Sequence, residues 1–156
     1  MEQKNYKIRI DGIDIISKTM YKFQLSENDI FNHQLKTQAV GDENKNLAVV
    51  FVQSKINKLN EPTKILAEIT IAIGFVIEDF KEVFPMNENG KHIIPSEVEN
   101  LLKSMSISTL RGIMFSEFRG TLLHKAVLPI ILMDSLKPIE GNLFEEVQTP
   151  EEELAK

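Results

Sequence analysis

The stretch KILAEITIAIGFVIEDF, residues 64–80, constrains this chain more than any other. Ile65, Ala67, Ile69, Ile71, Ile73, Phe75 and Ile77 all fall on one parity. Successive side chains on a strand point to opposite faces, so this spacing lines one face of a long strand with apolar groups alone. The other parity, from Lys64 and Leu66 through Glu68, Thr70, Ala72, Gly74 and Val76 to Glu78, is mixed. An antiparallel sheet with one covered face and one partly wet face accommodates both rows.

Three further strands precede it. NLAVVFVQSKI (46–56) reads as one, separated from the long strand by a turn at Asn60-Glu61-Pro62, because proline fixes φ and cannot donate to a ladder. QLKTQAV (34–40) is shorter and is closed by the turn-like GDENKN. In residues 5–25, Tyr6, Ile8 and Ile10 share one parity, and Ile13, Ile15, Tyr21, Phe23 and Leu25 share the other. A one-residue shift at Asp11-Gly12 is what a β-bulge produces. The expectation is four strands, consecutive and antiparallel.

The period then changes. After the loop FPMNENGKHIIP, Pro95 fits the edge of a helix, Ser96 suits an N-cap, and Glu97 and Glu99 suit the positive end of its dipole. Val98, Leu101, Leu102, Met105, Ile113 and Met114 recur at helical spacing, flanked by Leu110 and Phe118. Ser104, Ser108, Gly112, Ser116 and Gly120 follow one another at steps of four. They form either a wet strip or a strip where another helix approaches closely. Gly112 favours contact, because a mid-helix glycine costs about 1 kcal/mol relative to alanine. Of the two Arg-Gly pairs, Arg111-Gly112 is expected inside the helix. Arg119-Gly120 is expected to end it, with Gly120 free to take a positive φ. Leu122–Met133 then holds nine apolar residues around Pro129 without a clean period, so it does not bury itself as one regular element.

Composition excludes several functions. The chain has 156 residues and no cysteine, so thiolate catalysis, disulfides and cysteine-based zinc sites are out. A net charge of −5, with the lysines of KINKLNEPTK carrying no interleaved aromatics, argues against nucleic acid. The longest apolar run, residues 126–133, is shorter than the roughly 18 residues of a membrane span. No secretory signal opens the chain, so a cytoplasmic location is expected. His33, His92 and His124 lack local partners, and no metalloprotease, phosphate-loop, nucleophile-elbow or calcium-loop pattern occurs. The reading is a non-enzyme with neither cofactor nor metal. Residues 1–140 read as one domain, and 141–156 as an acidic tail dispensable for folding.

At Arg119-Gly120-Thr121 the chain resembles the SecB family of export chaperones. That family carries an Arg-Gly-Thr at the end of its long helix, then seven residues, a proline, and an apolar segment ending in a short helix. RGT-LLHKAVL-P reproduces the spacing through Pro129, and IILMDSL follows. Leu122 stands where the family usually has phenylalanine, and Phe31 in DIFNHQLK takes the aromatic place before the second strand. The resemblance implies an α+β subunit: a four-stranded antiparallel sheet, one long helix, an apolar crossover loop and a short C-terminal helix. It further implies a bacterial, ATP-independent holdase that binds unfolded or nascent polypeptide in protein export and transport. It also implies a homotetramer built as a dimer of dimers, with Ser104, Ser108, Gly112 and Ser116 expected at the contact between dimers.

The expected groove has Phe23, Leu25 and Phe31 on one wall and Leu122, Val127, Leu128 and Ile130 on the loop side. Export-type members dock on the motor SecA through acidic sheet residues. QLKTQAV has none, so two roles stay open: general export with SecA as a partner, or a dedicated chaperone such as one serving an antitoxin. The rivals are a small-molecule carrier with a closed apolar cavity and an oligomeric scaffold without clients.

Overall fold

The computed structural model describes residues 5–133 and Leu136. Four strands form one antiparallel sheet: β1 (Ile8–Met20), β2 (Phe31–Asp42), β3 (Leu47–Lys58) and β4 (Glu61–Ile77). A single turn, α1 (Phe80–Val83), and a long helix, α2 (Ser96–Glu117), follow; a 3-10 turn at Leu122–Lys125 opens the crossover loop. The expected short C-terminal helix and the acidic tail lie outside the described residues.

β4 is the spine of the sheet, as its alternation requires. Ala67, Ile69, Ile71, Ile73, Phe75 and Ile77 are all fully buried on one face, against Ala48, Val50, Val52 and Ile56 of β3. Each such isoleucine or phenylalanine contributes about 1.5–3 kcal/mol by leaving water. Glu61 and Pro62 belong to β4 rather than to the turn, which is Leu59-Asn60. The pairing with β3 is irregular here, Lys58 facing Glu61 and Asn57 facing Ile65, and that irregularity accommodates a residue without an N–H.

The order in space is β1-β4-β3-β2, so the chain is not a simple meander. β2, β3 and β4 follow one another through hairpins, whereas β1 lies on the far side of β4, a Greek-key arrangement. Alternation reports which face a residue takes, not which strand lies beside it. The register shift between Ile10 and Gly12 falls at the expected bulge, and a second shift lies between Ile15 and Ser17. Together they set Ile10, Ile13, Ile15 and Met20 opposite Phe75, Ile73, Ile71 and Ala67, all on the helix side of the sheet.

α2 packs on that side, over β2, β3 and β4. Pro95, not Ser96, holds the N-cap position, and no side chain caps the helix. The buried row is Val98, Leu102, Ser106, Leu110 and Met114, continued by Phe118. Ser106 is tolerated there because its hydroxyl donates to the Leu102 carbonyl at 2.8 Å. Leu101 and Met105, expected in the stripe, are exposed, since they lie on the flank towards β1, which the helix does not cover.

Candidate functional site

The site is built by the way the chain leaves α2. Phe118 is buried, and its N–H donates to the Met114 carbonyl. Gly120 then takes φ +81, which turns the chain out of the helix direction as expected. Thr121 donates its hydroxyl to the Phe118 carbonyl at 2.8 Å, and the 3-10 turn begins directly after it. Every part of Arg-Gly-Thr except the arginine side chain thus acts on the exit.

Beyond the turn the loop alternates. Leu123, Ala126 and Leu128 are buried in the main core, while Val127 is 56% exposed and Ile130 is 89% exposed. Leu128, expected on the groove side, is corrected to core at 1% exposure. Two consecutive carbonyls fix this alternation from α2: Arg111 Nε donates to Leu128 O at 2.7 Å, and Nη2 donates to Pro129 O at 2.8 Å. On the sheet side the Val127 carbonyl lies beside His33, whose Nδ1 is 3.3 Å from Ser54 Oγ. Burial pushes the His33 imidazole below its ordinary pKa, and the Val127 carbonyl partly opposes that. Ser54 is fully buried and His33 is half-buried beside it.

Leu122 opens the loop and reaches the other expected wall. It joins Phe23, Gln24, Leu25, Ser26, Asp29 and Lys58 around an open depression of about 750 Å³. Phe23 and Leu25 also pack on the core with part of their surface left free. Its polar element is the ion pair of Lys58 and Asp29 at 3.2 Å, with both side chains mostly buried. The Ser26 N–H donates to the Asp29 carboxylate at 2.7 Å and, with Lys58, holds its pKa below the usual range. Phe31 opens β2 opposite Lys58 and packs against the core edge, outside the lining of this depression.

The structure therefore gathers Leu122, Phe23 and Leu25, places Val127 and Ile130 outward on the loop, and leaves Phe31 at the core edge. Arg111, His33, Lys58 and Asp29 were not foreseen. The repeated Arg-Gly pair was the one available signal for Arg111. Ser104, Ser108, Gly112 and Ser116 are all exposed, as is Gly120. They are offset by two residues from the buried row, about 200° around the helix, so they face away from the sheet. A Cβ added at Gly112 would meet nothing within 4 Å. Among the described residues no group of three or more His, Asp or Glu side chains could hold a metal ion, and no helix is long and apolar enough to cross a membrane.

No protein-family model matches the chain, and no curated protein matches it. Among solved structures it is similar to the Mycobacterium tuberculosis SecB-like chaperone Rv1957, solved in complex with a ChAD peptide from the Rv1956 HigA1 antitoxin. The TM-score is 0.51 at 11% identity, over 80% of this chain and 88% of that one. An identity this low speaks to fold alone, and this chain has the four-stranded antiparallel sheet and long helix expected of it. The chain has the SecB-like fold.

Proposed function

We propose that this protein is an ATP-independent chaperone, a holdase that binds unfolded polypeptide along the crossover loop. The observation that carries the reading is the open apolar surface between Leu122 and the Phe23–Leu25 wall, with Val127 and Ile130 exposed further along the same loop. Apolar side chains presented by an irregular loop suit clients of varied sequence, because each contact adds affinity with little specificity. A closed carrier pocket is a poorer fit, since the depression is open and includes the Lys58–Asp29 pair. The similar mycobacterial protein was solved with a peptide bound, which supports a polypeptide rather than a small molecule as the partner.

Within that reading, a dedicated role suits the chain better than SecA-linked export. The sheet face away from α2 mixes both signs: Gln34, Lys36 and Asp42 on β2, Gln53 and Lys55 on β3, Glu68 on β4 and Asp14 on β1, with no acidic residue on β2 between Gln34 and Val40. Glu68 is engaged by Lys55 at 3.7 Å and by the Gln53 amide at 3.0 Å. Assembly as a homotetramer, a dimer of dimers in the cytoplasm, completes the proposal. Ile10, Ile13, Ile15 and Met20 on β1, with Leu101 and Met105 on α2, leave more apolar surface uncovered than scattered exposure accounts for.

The test is suppression of aggregation of a chemically denatured model protein, without nucleotide, at equimolar subunits. Wild type is expected to suppress it. The double variant Leu122→Ser, Phe23→Ser is expected to bind the same unfolded protein at least several-fold more weakly, with oligomer mass and melting temperature nearly unchanged. A wild type that suppresses nothing would sink the proposal. A variant that unfolds would show that these two side chains are core instead.

A further inference from the structure

The middle of the crossover loop, residues 127–130, has little regular hydrogen bonding to hold it. Among the described residues, Val127, Leu128 and Ile130 make no backbone–backbone hydrogen bond, and Pro129 has no N–H to give. Ala126 before this stretch and Ile131 after it pack on the core; between them the attachments are the Leu128 side chain in the core, the Val127 carbonyl beside His33, and the Arg111 fork on the next two carbonyls. The fork fixes the orientation of the loop. Holding Leu128 O and Pro129 O towards α2 directs the Leu128 side chain inward and leaves Val127 and Ile130 facing out. A planar guanidinium can bridge two successive carbonyls, whereas an ammonium is a point donor and cannot hold both in one geometry.

We propose that Arg111 is the positioning residue of the client wall: through the carbonyls of Leu128 and Pro129 it presents Val127 and Ile130 to bound polypeptide. This rests on the chaperone reading and names the residue that sets the geometry of that surface. Arg111 touches no client itself. It rigidifies an apolar segment, so that ordering the wall is not left to the moment of binding.

Because the chain contains no cysteine, a single thiol can report the loop. Leu128→Cys is placed in the otherwise unchanged chain, and its reaction with a water-soluble disulfide reagent is timed. The same thiol is then compared in Arg111→Met and Arg111→Lys backgrounds. The thiol is expected to react at least about tenfold faster with methionine at 111, as loops held by a few contacts open locally at low cost. Lysine should give an intermediate rate. Without the cysteine, Arg111→Met is expected to bind reduced, carboxymethylated α-lactalbumin about three- to tenfold more weakly, lysine recovering part of the loss, with oligomer mass unchanged. A purely structural role would lower the melting temperature and spare the affinity of the protein that remains folded.

An unchanged thiol rate overturns the proposal, whatever the client does. A faster thiol with unchanged affinity also overturns it, because the loop would then be free and the wall indifferent to its position. If wild type fails to bind the probe, the chaperone reading fails separately, and the thiol rates still decide whether Arg111 holds the loop. If the methionine variant does not fold, Arg111→Lys carries both measurements, and equality with wild type in both counts against the proposal.

Discussion

The two Arg-Gly pairs, eight residues apart, have the same composition and opposite uses. In Arg111-Gly112 the arginine does the structural work, donating to two loop carbonyls, while the glycine faces open space. In Arg119-Gly120 the glycine does it, turning the chain with φ +81, while the arginine side chain is exposed and makes no hydrogen bond among the described residues. One pair lies inside a helix, where backbone conformation is already set and a long donor can reach across to a neighbouring segment. The other lies at a helix end, where the backbone has to change direction and side-chain reach matters less. A dipeptide therefore carries no fixed meaning; its place on the helix assigns the work to one residue or the other.

The comparison breaks most readily at Gly120. A side chain in the left-handed region costs about 1–2 kcal/mol, and nothing within 4 Å of an added Cβ adds to or relieves that strain. Gly120→Ala is expected to lower stability by about that amount, read as a shift in denaturation midpoint at constant slope. A neutral substitution would mean that the exit from α2 does not depend on this turn.

At Gly112 the same substitution should have the opposite sign. Within the subunit the site is open, so Gly112→Ala gains helix propensity worth about 0.5–1 kcal/mol. Gly112→Leu sharpens the point, because open space within one subunit tolerates leucine. If a helix from another copy packs there, leucine forces strain of about 1–3 kcal/mol per site and the mass by light scattering falls towards a dimer. A wild type that is monomeric at micromolar concentration would remove the interface altogether.

How far the sequence foretold this can be followed residue by residue. The β4 parity and the bulge at Asp11-Gly12 were legible because a period of two, and a break in it, are local properties. That β1 neighbours β4 was not, since alternation carries no information about partners. Leu101 and Met105 show the same limit on the helix: both are apolar at helical spacing, but whether they are covered depends on where β1 lies. Leu128 and Ile130 are similar in character, and their opposite burial follows from carbonyls held by a side chain 17 residues upstream of Leu128. No local pattern records such a bond.

A pH effect comes next, arising from one partly buried imidazole beside the loop. The folded state lowers the His33 pKa through desolvation, so the unfolded chain takes up its proton first as pH falls. Its stabilising contribution is full above the ordinary histidine value of about 6.5 and is lost as pH drops through the lower folded value. Melting temperature should therefore decline more steeply as pH falls below about 6.5 in wild type than in His33→Gln. Parallel curves would show that the ring is solvated in both states.

The smallest effect on stability is expected at Arg119, the residue on which the family resemblance begins. Its side chain lies in solvent at the helix exit, and among the described residues it forms neither an ion pair nor a hydrogen bond. Surface substitutions away from such contacts usually fall within about 0.5 kcal/mol, so Arg119→Ala should melt with wild type. Arg111→Ala removes two hydrogen bonds to carbonyls and should not. If Arg119→Ala nevertheless lowers the oligomer mass or weakens an unfolded client, its partner lies in another chain. The two arginines would then divide the work as the glycines do, Arg111 within the subunit and Arg119 between molecules. If Arg119→Ala instead costs as much stability as Arg111→Ala, the contrast between the pairs collapses, and the exit from α2 depends on a charge that the exposed side chain gives no sign of using.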